Sequence, residues 1–371
     1  MAEEPSGYAP GVEMHGGGLT LGVEEEFLLV DEQGRLAASG PEITDAVDEQ
    51  HGQVDRELRR CQVESATGVC TDVEDIVSGL RDLRCRLAVQ AAARGQRLVP
   101  AGTDLLADDR PPRFTPDGRY RRMSQDFGEL ARASLTCACH VHVGIPDAAT
   151  GLRMSNHIRP WLPLLLALAA NSPFHDGVDT RYASWRYEMW RRWPSAGPPP
   201  HFGSVDDYES KVDGLLRCGA VLDRAMVYWD VRLSAHQPTL EVRIADVTPT
   251  VEHAALLAVL VRALAARAID DPTACALSQE VLRGELWRAG RDGLAGQCVD
   301  RRTGQLAPTW HLVDNLVDDL GPYLRSAGDI DHVTGTLARL RAEGGGAQRQ
   351  RAVFDRRRSL TDVIDSLAVV P

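Results

Sequence analysis

In four separate stretches of this chain, apolar residues alternate with residues that carry carboxylates, a carboxamide, imidazoles or a guanidinium. Along a β-strand, residues i and i+2 point the same way, about 6–7 Å apart. Residues 22–29 thus place Glu24 and Glu26 on one face and Val23, Glu25, Phe27 and Leu29 on the other. Residues 60–69 set Gln62 and Glu64 against Cys61 and Val63, and residues 138–144 set His140 and His142 against Cys139, Val141 and Val143. Residues 239–245 set Glu241 and Arg243 against Leu240, Val242 and Ile244. One such strand is an ordinary sheet member with a wet outer face. Four of them, with two histidines at i, i+2 and four carboxylates, predict polar faces that converge on a shared space.

The remaining periodicity predicts the scaffold. Ile76, Leu80, Leu83, Leu87 and Ala91 form one stripe of an amphipathic helix over residues 73–94. Further helices are expected over about 156–170, 205–224, 251–269, 275–289, 308–325 and 332–342, and further strands over 98–102 and 227–233. A polar loop is expected over 108–117. The Trp-, Arg- and Pro-rich residues 171–204 read as a long irregular excursion, and loops of that length are commonly functional. Arg349, Arg351, Arg356, Arg357 and Arg358 read as a basic turn before a last short helix. No even β-α-β rhythm and no Gly-rich strand-to-helix fingerprint is present, so the fold class is α+β with a mainly antiparallel sheet flanked by helices. Residues 1–18 lack a basic and an apolar region and read as a disordered leader. No linker follows, so residues 19–371 are expected to form one catalytic domain.

Composition removes several functions. With 41 basic and 53 acidic residues the formal charge is −12, which disfavours nucleic acid as a partner. No apolar run approaches the roughly 20 residues that span a bilayer, so membrane is excluded as a partner and a cytoplasmic location is expected. The eight cysteines are scattered, and only Cys137 and Cys139 lie close together, without a second pair to complete a zinc set. They read as reduced thiols. The single lysine, Lys211, leaves phosphate contacts to arginine, histidine and backbone N–H groups.

Converging carboxylates cannot all stay ionised without cations. Oxygen-rich ligation favours Mg²⁺ or Mn²⁺ over Zn²⁺, and such ions keep positions open for phosphate oxygens. With Arg243 alongside, the residues describe a metal-assisted, nucleotide-dependent enzyme without a P-loop. A divalent-metal hydrolase would use similar ligands, and a catalytically silent binding relative is a third reading.

Five motifs carry a resemblance: Gly22-Val-Glu-Glu-Glu-Phe-Leu-Leu-Val-Asp31, Cys139-His-Val-His-Val-Gly-Ile-Pro-Asp147, Ala170-Asn-Ser-Pro-Phe174, Trp193-Pro-Ser-Ala-Gly-Pro-Pro199 and Thr239-Leu-Glu-Val-Arg-Ile-Ala-Asp-Val247. In this order, over residues 19–369, the chain resembles the YbdK-type carboxylate–amine ligases, or type 2 glutamate–cysteine ligases, of the glutamine synthetase/glutamate–cysteine ligase superfamily. The resemblance implies a funnel-shaped antiparallel sheet with ATP entering one end and an amino acid the other. It implies ATP-dependent formation of an acyl phosphate on a glutamate carboxylate, then attack by an amine, normally that of cysteine. Glu24, Glu26, Glu64, His140 and Glu241 match metal positions for Mg²⁺ or Mn²⁺, and His142 and Arg243 match groups that contact the ATP phosphates and the acyl phosphate. Arg186, Arg159 and Asn171 fall near substrate or phosphate, with Arg186 joining Arg243 as a catalytic group. A homo-oligomer, a dimer, is expected. Two positions that are often Gly in the family are Arg181 and Ala138 here, beside expected substrate walls, and residues 192–200 are a candidate lid.

Overall fold

The computed structural model describes residues 18–47, 52–107, 113–271, 273 and 277–371, so the expected leader, apart from Gly18, and part of the loop expected over 108–117 lie outside the described residues. The strands are β1 (Leu21–Asp31), β2 (Gly52–Arg56), β3 (Gln62–Thr67), β4 (Gln96–Val99), β5 (Ala138–Gly144), β6 (Phe174–His175), β7 (Val178–Asp179), β8 (Val231–Leu233), β9 (Thr239–Asp246), β10 (Gln297–Val299) and β11 (Leu306–Pro308). The helices are α1 (Gly40–Thr44), α2 (Val73–Ala92), α3 (Gly118–Phe127), α4 (Glu129–Ala133), α5 (Ala148–Ile158), α6 (Leu162–Ala169), α7 (Trp185–Trp190), α8 (Val205–Arg217), α9 (Val251–Asp270), α10 (Gln279–Asp292), α11 (Thr309–Ser326), α12 (Ile330–Glu343), α13 (Gly346–Arg357) and α14 (Leu360–Leu367).

The main sheet runs β2-β3-β1-β5-β9-β8, with β4 pairing the far end of β1. Each of these pairings is antiparallel. Register then does what alternation alone could only suggest. Glu26 lies opposite Glu64 across β1–β3, Glu24 opposite His140 across β1–β5, and His142 opposite Glu241 across β5–β9. Because all share pleat parity, one face of the sheet collects the acids and imidazoles. A register shift between Cys139 and Val141 re-aims β5 against β9 at this point.

The opposite face is dry. Val23, Val141, Val143, Val242 and Ile244 pack with the buried stripes of α5 and α9, while Phe27, Leu29 and Val63 pack with Leu83, Leu87 and Ala91 of α2. Glu25, the one fully buried charge on that face of β1, accepts from Arg84 Nε (2.8 Å) and Nη2 (2.5 Å), and both side chains are buried.

Several elements differ from expectation. Residues 148–169 form two helices, because Pro160 and Pro163 cannot donate to the preceding turn and a 3₁₀ turn at Arg159–Trp161 joins them. The excursion contains the β6–β7 hairpin and α7. The arginine-rich segment from residue 349 is helical, not a turn: α13 runs to Arg357 and stops at Arg358, whose φ is +55°. Arginine is a good helix former, and its charge marks exposure, not a chain reversal. Among the described residues no helix is long and apolar enough to cross a membrane.

Candidate active site

The polar face of β1, β3, β5, β8 and β9 forms the floor of a cavity of about 500 Å³. Glu24, Glu26, Glu64, His140, His142, Glu241 and Arg243 all line it. At its centre Glu24 bridges the two imidazoles. Its Oε2 lies 3.1 Å from His140 Nδ1, and its Oε1 lies 3.2 Å from His142 Nε2. His142 Nδ1 meets Thr239 Oγ1 at 2.8 Å, and Ala138 N donates to Glu26 Oε2 at 2.7 Å. Glu241 is held differently. Arg232 Nε donates to its Oε2 at 2.8 Å, Arg243 Nη1 donates to its Oε1, and Arg232 also caps the carbonyls of Ala225 (2.7 Å) and Val227 (2.9 Å).

Three groups of ligand atoms, each within 4.8 Å of one another, could hold a cation: Glu24–Glu64–His140, Glu24–His142–Glu241 and Glu26–Glu57–Glu64. The electrostatics agree with such a role. Burial, then repulsion from Glu24, Glu57 and Glu26, pushes the Glu64 carboxyl well above the usual range. Burial and Glu26 push Glu57 up to about 7. Burial works the same way on Glu24 and Glu241, but the two histidines pull Glu24 well down, and Arg232 with Arg243 hold Glu241 well below the usual range. Burial and Arg243 lower His140, whereas Glu24 outweighs burial and raises His142. His140 Nε2 and Arg243 Nε are buried without a hydrogen-bond partner. Stacked acids, a free imidazole nitrogen and an unfilled guanidinium are a donor set that fits hard divalent cations carrying phosphate.

Three expected site residues stand elsewhere. Arg159 is buried in the 3₁₀ turn, where its Nε donates to Pro199 O (2.8 Å) and its Nη2 to Leu277 O (3.4 Å). Asn171 is fully buried and spends its amide on Pro100 O and Val247 O, while Gln350 of α13 donates to its Oδ1. Both are structural ties, with no face on the cavity. Arg186 sits behind the wall, with Nη2 on Arg243 O (3.2 Å) and Nη1 3.9 Å from Asp246. Arg181 is exposed and does not line the cavity; its φ of +68° is the reason a glycine suits the position. Residues 192–200 are no loose lid. Trp193 is buried, Ser195 Oγ bridges Met226 O and Tyr228 N, and Asp230 N donates to Gly197 O.

The cavity also holds groups that sequence reasoning did not single out: Glu57, Arg119, Tyr120, Tyr228 and Arg232, with Trp190 and Trp193 from the excursion. Arg232 had a signal, since it alternates with Val231 and Leu233 in a predicted strand. Glu57 had none, because it follows the polar edge strand β2, which no pattern marked.

Residues 20–367 match the glutamate–cysteine ligase family 2. The chain belongs to that family. A relative from Rhodococcus jostii is 50% identical over 364 residues, covering 97% of this chain and 98% of its own. One from Saccharopolyspora erythraea is 46% identical over 353 residues, covering 95% and 94%. Both bear the name glutamate–cysteine ligase 2-1. Among solved structures, a Francisella tularensis glutamate–cysteine ligase in complex with AMP superposes with a TM-score of 0.72 at 13% identity, covering 94% of this chain and 87% of that one. A bifunctional glutathione synthetase from Pasteurella multocida gives 0.70 at 15% identity, covering 94% and 52%. These share the fold, α+β around an antiparallel sheet. This family member is an ATP-dependent carboxylate–amine ligase.

Proposed function

We propose that this ligase joins the γ-carboxylate of glutamate to the amine of cysteine, with Mg²⁺ or Mn²⁺ held by Glu24, Glu26, Glu64, His140 and Glu241, joined by Glu57. The observation that carries this reading is a wall of acids, two of them with raised pKa, facing the guanidinium of Arg243 across one open cavity. The bound cations would neutralise the β- and γ-phosphates of ATP. Arg243, beside Glu241, is placed to meet charge that builds on the transferring phosphoryl group, and His142 offers a second contact. A substrate carboxylate oxygen takes the γ-phosphoryl group and ADP leaves. The amine nitrogen then attacks the acyl carbon, phosphate departs, and the amine's proton passes to solvent. No protein nucleophile is required. A reducing, cytoplasmic setting fits the buried Cys61, Cys70, Cys137, Cys139 and Cys298, which are thiols and not disulfides.

The test is ADP release screened over pairs of amino acids and amines, with mass detection of the amide. Glutamate with cysteine should give the highest turnover and a γ-glutamyl product. Another preferred pair would replace the substrate assignment, and hydrolysis without nucleotide would overturn the ligase reading itself.

A further inference from the structure

Arg243 presents a puzzle of order. It is buried to 8% exposure, pairs with Glu241 through one prong only, and leaves Nε without a partner. A long side chain held at one point would sample several rotamers and lose the planar aim that a guanidinium offers a phosphoryl group. Two rings limit it. The guanidinium carbon lies 5.7 Å from the centroid of Trp190 and 5.9 Å from that of Tyr228, and the rings touch each other at 4.6 Å. That is the range of a cation–π contact, which strengthens where water is excluded.

The rings are themselves fixed. Trp193 packs against both, at 6.5 and 5.5 Å, and Phe127 packs behind Trp193 at 5.2 Å. Ser195 Oγ accepts from Tyr228 N. Arg186, one turn before Trp190 on α7, lies 5.9 Å from the Trp190 ring and donates to the carbonyl of Arg243 itself. Helix, ring and strand are therefore tied at the same residue.

We propose that Trp190 and Tyr228 are positioning residues that form a one-sided aromatic clamp, a joint wall against which the Arg243 guanidinium rests, with Arg186 holding α7 at the height this requires. The proposal rests on the role given to Arg243 above. Both rings also line the cavity, so a direct contact with the adenine base is the rival account, and the two differ in kinetics. A clamp acts on the transition state and lowers kcat. A base contact raises KM for ATP.

The experiment is a double-mutant cycle on the full-length enzyme, with kcat and KM for ATP measured for Tyr228→Leu, Arg243→Lys and the pair. Tyr228→Leu should lower kcat about 10-fold with KM within about twofold, and Tyr228→Phe, which keeps a ring, should recover most of that loss. In the Arg243→Lys background, the Leu substitution should cost less than about twofold, because the planar group it positions is gone. An Arg243→Lys enzyme with unchanged kcat overturns the role of Arg243. An impaired Arg243→Lys enzyme to which Tyr228→Leu adds its full loss overturns the clamp alone. A rise in KM without a fall in kcat assigns the ring to the base instead. Should thermal unfolding show that Tyr228→Leu does not fold, fluorinated tryptophans placed at position 190 carry the test. They keep the ring's shape while weakening its negative face, so kcat should fall with each added fluorine, and a constant kcat would overturn the clamp.

Discussion

Glu24 and Glu25 are neighbours on β1, yet they belong to different kinds of protein surface. Glu25 is fully buried, and both its oxygens are taken by Arg84, which also caps the carbonyls of Thr248 (2.9 Å) and Pro249 (3.1 Å). The same completeness recurs on the helix-covered side, where both oxygens of Asp329 meet Arg262 at 2.7 Å. Asp246, at the end of β9, likewise takes Asn171 N, Ser172 Oγ and Ser184 Oγ. On the cavity side, Glu64 instead faces Glu24, Glu26 and Glu57. Folding alone gives no reason to gather acids this way, since repulsion and burial both oppose it. An acid matched by its own guanidinium is architecture, and acids gathered against one another mark the place where something else binds.

The sharpest way to break this comparison is to remove a charge from the cavity side. Glu64→Gln should abolish ADP release while leaving the thermal midpoint unchanged or higher, because it deletes a repelled carboxylate. Glu24→Ala should also abolish turnover, and cost more stability than Glu64→Gln, because it removes the carboxylate that bridges two buried imidazoles. If Glu64→Gln lowers the midpoint sharply, the cavity acids are structural and the contrast fails.

On the other side the effect should reverse. Arg84→Ala strands the Glu25 carboxylate in the core, and breaking a buried pair in this way costs about 3–5 kcal/mol. Urea unfolding should show that loss, with kcat per folded molecule retained at low temperature. A loss below about 1 kcal/mol would mean that Glu25 has found water or another partner.

The sequence made this contrast half visible. Alternation assigned Glu25 to the apolar face and Glu24 to the polar one, and the antiparallel α+β class followed from the same reading. It also brought together seven residues that line one cavity, because pleat parity is a local property. What it missed depends on distant chain. Asn171 and Arg159 sit in or near recognisable motifs, but whether a side chain there meets substrate or a backbone carbonyl depends on the packing of α13 and of residues 198–199. Glu57 arrives through a turn with no periodicity. The α13 helix looked like a turn because charge was weighed over helix propensity.

A milder test uses pH, where the two sides should slope in opposite directions. His253 on α9 is buried with Nε2 donating to Leu168 O at 3.0 Å, and burial pushes its pKa down to about 4 from the ordinary 6.5. Between these values the unfolded chain takes up a proton that the folded chain refuses. Its contribution is therefore complete above pH 6.5 and is lost as pH falls toward 4, roughly 3 kcal/mol in all at 1.36 kcal/mol per unit. Glu57, raised from 4.5 to about 7, works the other way in chelator: its protonated form favours the fold at low pH, and that advantage is lost as pH rises through this range. Urea midpoints between pH 4 and 7 should flatten on the acid side in His253→Gln and on the neutral side in Glu57→Gln. Identical profiles for both variants and the parent would remove these groups from the account.

The smallest expected effect lies at Arg181, on neither side of the sheet. Its backbone φ is +68°, in the left-handed region, and its N–H donates to Asp179 Oδ1 at 2.9 Å in a tight turn that Arg351 closes through the same carboxylate. A residue with a Cβ costs about 1–2 kcal/mol in that conformation. Glycine would remove the strain, but it widens the unfolded ensemble at a cost of about 0.4–1 kcal/mol. Arg181→Gly should therefore stabilise by only about 0.5 kcal/mol, a rise in thermal midpoint of about 1 °C. Its second readout matters more. Arg181 is exposed and outside the cavity lining, so the ranking of acceptor amines should not change. A changed ranking with an unchanged midpoint would show that the substrate wall extends past the sheet to the β6–β7 side, and that the cavity defined by its gathered acids is only part of the site.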